Sequence, residues 1–181
     1  MKALQSTRKL TIMGVMAAIS IILIYVIRFP IIPAASFLEY EPGDIPLYMI
    51  AFLFGPASGL IVTIVVSILQ GITVSAGSGI IGIIMHIFAT GAFVLVAGNL
   101  YRLKKDRKQV ILALIAGSVV MVISMCIWNI IFTPIFMGVS RDTVIAMLIP
   151  AIIPFNLIKA GINSIATLLL YETVVSIVKS R

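Results

Sequence analysis

The chain has 181 residues, 61% of them hydrophobic and only 10% charged, with a mean hydropathy of +1.23 and a formal net charge of +7. A soluble domain usually carries about 25% charged residues, so this composition cannot cover a water-facing surface. Ten of the thirteen basic residues flank apolar runs instead of forming a patch, which excludes a nucleic-acid groove.

Lys2, Arg8 and Lys9 precede the first apolar run, residues 10–28. That run is longer than a signal-peptide core, so it is expected to stay as a helix. Within it Gly14 and Ala18 form a small-xxx-small pair that lets another helix approach closely, whether from this chain or from a partner. Residues 29–43 carry Pro30, Pro33 and Pro42 with Glu39 and Glu41, the composition of a loop. The apolar segment 45–54 is closed by Gly55-Pro56, which reads as a tight turn into a span over 57–74. A Ser/Gly-rich turn at 75–79 leads to a span over 80–101. Residues 77–82 fit G-x-G-x-x-G, but no βαβ unit surrounds them, so a dinucleotide site is not supported.

The basic loop follows, with Arg102, Lys104, Lys105, Arg107 and Lys108, and then a span over 109–132. After Pro134 a connector passes through Arg141 and Asp142 to an apolar stretch reaching residue 178. That stretch is too long for one crossing of about 30 Å. Pro150 and Pro154 divide it into a short outer helix at 142–149 and a last span from 153.

Segment 45–54 is too short for a full crossing at about 1.5 Å per residue. Charge decides its role. If it spans, the amino terminus, the basic loop and Lys179 and Arg181 at the carboxyl terminus share one side, as the positive-inside rule requires. The expected architecture is an all-α membrane protein of the cell membrane. Residues 1–181 form a single domain of six transmembrane helices, the second one short, with both termini cytoplasmic.

Lys159 sits among apolar residues in the last span, where a charge costs at least about 2.5 kcal/mol unless it faces a cavity or partner. Asn156, Lys159, Asn163 and Thr167 share one helix face and read as a ligand-facing stripe, the alternative being snorkelling with interhelical hydrogen bonds. Asn129 in the fifth span stands where it can meet that stripe. Trp128 offers a stacking surface or an aromatic-belt anchor. His86, with Thr90 one turn on, is either an interhelical hydrogen-bonder or a ligand contact, and Gln70 is a weaker case of the same kind.

A lone histidine and the single Cys126 exclude a His/Cys metal cluster and an intrachain disulfide. The chain has no Walker A, H-E-x-x-H or G-x-S-x-G motif and no buried acidic relay, so it reads as a binder powered by partners, with no cofactor of its own. A membrane enzyme acting on lipid substrates is the competing class, with only His86 and Lys159 as candidate catalysts. An assembly protein without a small ligand is a third.

Four segments carry a resemblance: residues 37–40 leading to Asp44-Ile45-Pro46, Phe54-Gly55-Pro56, Trp128-Asn129, and residues 154–159 with Asn156 and Lys159. In these the chain resembles the S components of energy-coupling factor (ECF) vitamin transporters, riboflavin type. The resemblance implies riboflavin bound near the outer face under the first loop as transported substrate. It also implies a complex with a transmembrane scaffold subunit and two cytoplasmic ATPases in the membrane lipid. Asn129, Asn156 and Lys159 match the family's polar ligand positions. Asp44 and the segment Phe37, Leu38, Glu39 match its covering loop, and Gly14 and Ala18 match the motif that docks on the scaffold. The chain departs from the pattern in three places: His86 stands where an asparagine is expected, and Ser67 and Gln70 where a Lys-Asn pair is common.

Overall fold

In the computed structural model, which describes residues 2–179, the chain runs α1 (Lys2–Val26), β1 (Phe29–Pro30), β2 (Glu39–Tyr40), α2 (Asp44–Phe54), α3 (Pro56–Ile72), α4 (Gly79–Tyr101), α5 (Arg107–Met137), α6 (Arg141–Met147) and α7 (Ile153–Lys179). Arg181 lies outside the described residues. The six expected spans are all present, and the short outer helix before the last one is α6.

Local chemistry sets the boundaries. Asp106 caps α5 by accepting from the Gln109 amide at 2.7 Å, and Ser140 caps α6 by accepting from Thr143 at 3.2 Å. Gly55 alone separates α2 from α3 and sits at φ +92°, a conformation L side chains rarely adopt. Pro150 is absorbed in a wide turn over Leu148–Ile152, in which the Ile153 amide donates back to the Leu148 carbonyl.

Two expectations need correction. Helix α5 does not stop at Phe132 but runs through Pro134 to Met137. Proline cannot donate to the carbonyl of Ile130, and the Arg141 side chain takes that carbonyl instead at 3.4 Å, relieving the loss. The 29–43 loop is not wholly irregular: β1 and β2 pair antiparallel, Phe29 with Tyr40 and Pro30 with Glu39.

Helices α1, α4, α5 and the α6–α7 unit are long and apolar enough to cross a membrane. Helices α2 and α3, with 11 and 17 residues, measure only about 16 and 26 Å. Helix α2 contacts α1, α3, α4 and α7, and eight of its residues are buried. It is apolar nearly all round because it is the centre of the bundle. Tyr48 of α2 stacks on Phe93 of α4 with ring centroids 3.6 Å apart. At one end of the bundle Arg8 donates to the Val178 carbonyl, Lys9 lies over the Phe54 ring, and Arg107 pairs with Glu172. The start of α1, the basic loop and the end of α7 therefore share that end.

Candidate ligand-binding site

At the opposite end, the β1–β2 hairpin folds over the bundle. Ala35, Leu38 and Tyr40 pack against Val144, Ala151, Ile152 and Phe155 in a small core of their own. The hairpin is thus fastened to α6 and the start of α7 by apolar burial. Arg28, at the exit of α1, holds it from the other side, donating to Glu39, to the Val74 carbonyl at 2.7 Å and to Ser75 at 2.9 Å.

This clamp places Glu41 inside the protein, 6% exposed. Its Oε1 accepts from Lys159 Nζ and from Gln70 Nε2, both at 3.1 Å. Burial alone would push the Glu41 carboxyl up, but the Lys159 ammonium, with lesser help from His86 and Gln70, brings it below the usual carboxylate range. Asp44 lies deeper and is wholly buried, so two carboxylates are enclosed where the sequence led us to expect no buried acid. Its Oδ1 accepts from Thr90 at 2.7 Å and faces His86 Nε2 at 3.1 Å, while its Oδ2 accepts from Asn163 at 3.3 Å and stands 3.7 Å from Lys159 Nζ. Asn163 Oδ1 in turn accepts from the Tyr40 hydroxyl at 3.0 Å. One polar network therefore ties the hairpin to α2, α3, α4 and α7.

Beside the network lies a half-open cleft lined by both polar and apolar side chains. Gln70, Ser67, Ser75, Glu41, Lys159, Asn129, Thr133 and Asn156 supply its polar groups. Met85, Met121, Met125, Phe136 and Phe155 add apolar wall, the methionines giving an adaptable surface. Such a slot suits a flat, apolar ring with hydrogen-bonding edges.

Most of the residues singled out in the sequence converge here. Lys159, Asn156, Asn129, His86, Phe37, Leu38 and Glu39 all line the cleft. The Asn129 amide donates to the Met125 carbonyl one turn back in α5, and the Asn156 amide to the Ile152 carbonyl in the turn that leads into α7, both at 2.8 Å. Asp44 opens α2 instead of standing in the loop, and it braces the network from beneath. His86 is an interhelical hydrogen-bonder, with Ser67 Oγ 2.6 Å from Nδ1 and Asp44 at Nε2. The Ser67–His86–Asp44 order is that of a hydrolytic triad, but Ser67 Oγ also donates to the Thr63 carbonyl at 2.7 Å. Trp128 is not among the cleft-lining residues; it stacks between Phe88 at 4.0 Å and Phe132 at 5.5 Å. Gly14 and Ala18 lie on the exposed face of α1, away from the cleft, and a Cβ on Gly14 would meet nothing within 4 Å.

Glu41, Arg28 and Ser75 belong to the site although the sequence did not single them out for it. Charge balance was the available signal for Glu41. An intramembrane lysine needs a carboxylate, and the acids nearest a span entrance are those of the first loop.

The profile of the family described as "ECF transporter, substrate-specific component" matches residues 8–171. The chain belongs to that family. The riboflavin transporter RibU of Streptococcus thermophilus is 28% identical over 180 residues, covering 95% of this chain and 85% of that protein. RibU of Staphylococcus aureus is 30% identical over 182 residues, covering 97% and 95%. A solved S component of a bacterial ECF transporter superposes with a TM-score of 0.82 at 29% identity, over 96% of this chain and 99% of that one. The chain is thus an S component, a multi-pass protein of the cell membrane whose relatives are transporters, not enzymes.

Proposed function

We propose that this S component captures riboflavin in the cleft under the 29–43 hairpin, from the outer side of the membrane, for ATP-driven uptake. The observation that carries this reading is the pairing of an apolar, methionine-rich wall with Lys159, Asn156 and Asn129 on the same cleft. A flavin presents ring carbonyls and chain hydroxyls to such donors and its flat ring to such a wall. The two asparagine amides donate only to carbonyls four residues back, local bonds that a ligand carbonyl can replace. Relatives named riboflavin transporters align over nearly the whole chain, which supports the same ligand.

On this reading residues 1–181 work as one membrane domain, and energy comes from a transmembrane scaffold subunit with two cytoplasmic ATPases. The basic end of the bundle is the cytoplasmic one, where both termini then lie. The small-residue face of α1 is the docking strip for the scaffold, since Gly14 and Ala18 are not packed within the chain. A bulky Gly14→Leu change should then abolish uptake while the isolated chain still binds. Lost binding would place the strip inside the fold's own requirements.

Titrating the purified chain with riboflavin tests the central point. Binding should quench flavin fluorescence and saturate at one ligand per chain. A chain that leaves the fluorescence untouched at micromolar protein is not a riboflavin binder.

A further inference from the structure

The cations at the basic end of the bundle are not used alike. Arg8 donates to the Val178 carbonyl, Lys9 lies over the Phe54 ring, and Arg107 pairs with Glu172. Arg102, Lys104, Lys105 and Lys108 are exposed, and their side chains make no hydrogen bond or ion pair among the described residues. Asp106, the one acid within residues 102–108, is engaged in capping α5 through the Gln109 amide. Four cations of this loop are thus left unanswered by the fold.

Two further features mark the same loop. Lys105 stands at φ +56°, the one non-glycine residue with a positive φ among the described residues. Its amide closes the final turn of α4 on the Tyr101 carbonyl at 3.0 Å. Helices commonly place glycine at that position, because a Cβ is disfavoured there. A lysine held in such a conformation points to a use for its side chain. Leu103, two residues earlier, is 72% exposed. Orienting a span needs cations at its end, but neither a strained lysine nor a bare leucine.

The depth of the loop says what it meets. Helix α4, with 23 residues, measures about 35 Å, little more than the roughly 30 Å of hydrocarbon it crosses. The five residues between α4 and α5 reach about 3.5 Å each, so on the way out and back they rise less than about 10 Å. The loop therefore lies in the headgroup layer. Lipid phosphates there are in reach of the cations, and the acyl boundary is in reach of the leucine.

We propose that residues 102–108 are an anchor for anionic phospholipid: Arg102, Lys104, Lys105 and Lys108 hold headgroup phosphates, and Leu103 inserts at the acyl boundary. An acidic protein face would also meet the charges, but a loop this short is already among the headgroups. The anchor lies at the other end of the bundle from the cleft and is independent of the cleft's ligand. The topology proposed above makes its leaflet the cytoplasmic one; labelling of Lys105→Cys in intact cells tests that side separately.

The test offers the purified full chain in detergent phosphatidylglycerol or phosphatidylcholine with the same acyl chains, and counts bound lipid by native mass spectrometry. The parent should retain phosphatidylglycerol at least about fivefold better than phosphatidylcholine. Lys104→Gln combined with Lys105→Gly should bring that preference to about twofold or less. Its melting temperature should hold or rise, because glycine suits the left-handed turn. Lys9→Gln, which removes a cation already engaged within the fold, should leave the preference as in the parent. Equal retention of the two lipids by the parent would overturn the anchor. So would an unchanged preference in the double variant, and if that variant also failed in uptake, the loop would belong to a protein partner. An equal loss of preference in Lys9→Gln would overturn it too, since retention would then follow total charge alone. A lost preference accompanied by a fall in melting temperature would assign the two lysines to the fold and overturn it likewise.

Discussion

Two ion pairs in this protein have the same length and opposite settings. Arg107–Glu172 at the basic end and Lys159–Glu41 in the cleft both measure 3.1 Å. The side chains of the first are 67% and 65% exposed, those of the second 9% and 8%. At the basic end the charges are already solvated, and pairing them gains little. In the cleft neither charge would be tolerated alone, so each holds the other there. Distance alone is therefore a poor guide to what a pair does. Burial turns one of them into the device that seats the hairpin over the cleft.

Substitutions break the comparison in order of size. Lys159→Ala should weaken riboflavin binding at least tenfold, since loss of a buried charged donor is worth about 1.5–3 kcal/mol. Fluorescence titration measures it, and binding like the parent's would make the pair purely structural. Glu41→Gln keeps the shape and removes the charge. It should lower stability by about 1–3 kcal/mol, read as a fall in melting temperature in detergent. The pH dependence has a definite sign. The Glu41 carboxyl is held below its usual range, so its stabilising contribution is complete above that range and fades only as pH falls through the lowered value. The gap in melting temperature between parent and Glu41→Gln should be constant from roughly pH 8 to pH 5 and close below about pH 4. A gap that closes already near neutral pH would assign the titration to another group. Arg107→Ala should cost no more than about 1 kcal/mol and leave flavin binding unchanged. A larger loss of stability would mean that the basic end is not as water-exposed as its geometry indicates.

What could be read from the sequence follows the same division. The spans and the basic end were legible because charge at the ends of apolar runs is a local pattern, visible without knowing what packs on what. Lys159 was legible because a charge in an apolar helix needs a reason wherever its partner is. Glu41 was not, because that partner lies 118 positions away in a segment whose prolines read only as loop. The β1–β2 pairing escaped for a related reason: strands of two residues, one of them containing Pro30, carry no alternation to detect. The extension of α5 past Pro134 depends on Arg141 reaching back to Ile130, a contact across a turn that no periodicity encodes. Trp128 shows the limit of composition. Its neighbour Asn129 is wholly buried, whereas the indole faces Phe88 and Phe132, and adjacent residues on a helix point in different directions.

The most direct test of where the ligand sits uses one cysteine at a time in a Cys126→Ser background. Ser78 lines the cleft and is half-buried, while Lys105 lies in the exposed basic loop. In intact cells, Ser78→Cys should react with a membrane-impermeant thiol reagent and be protected by riboflavin, whereas Lys105→Cys should not react at all. Labelling of Ser78→Cys that riboflavin leaves unchanged, in cells that take riboflavin up, would contradict a binding site in the cleft.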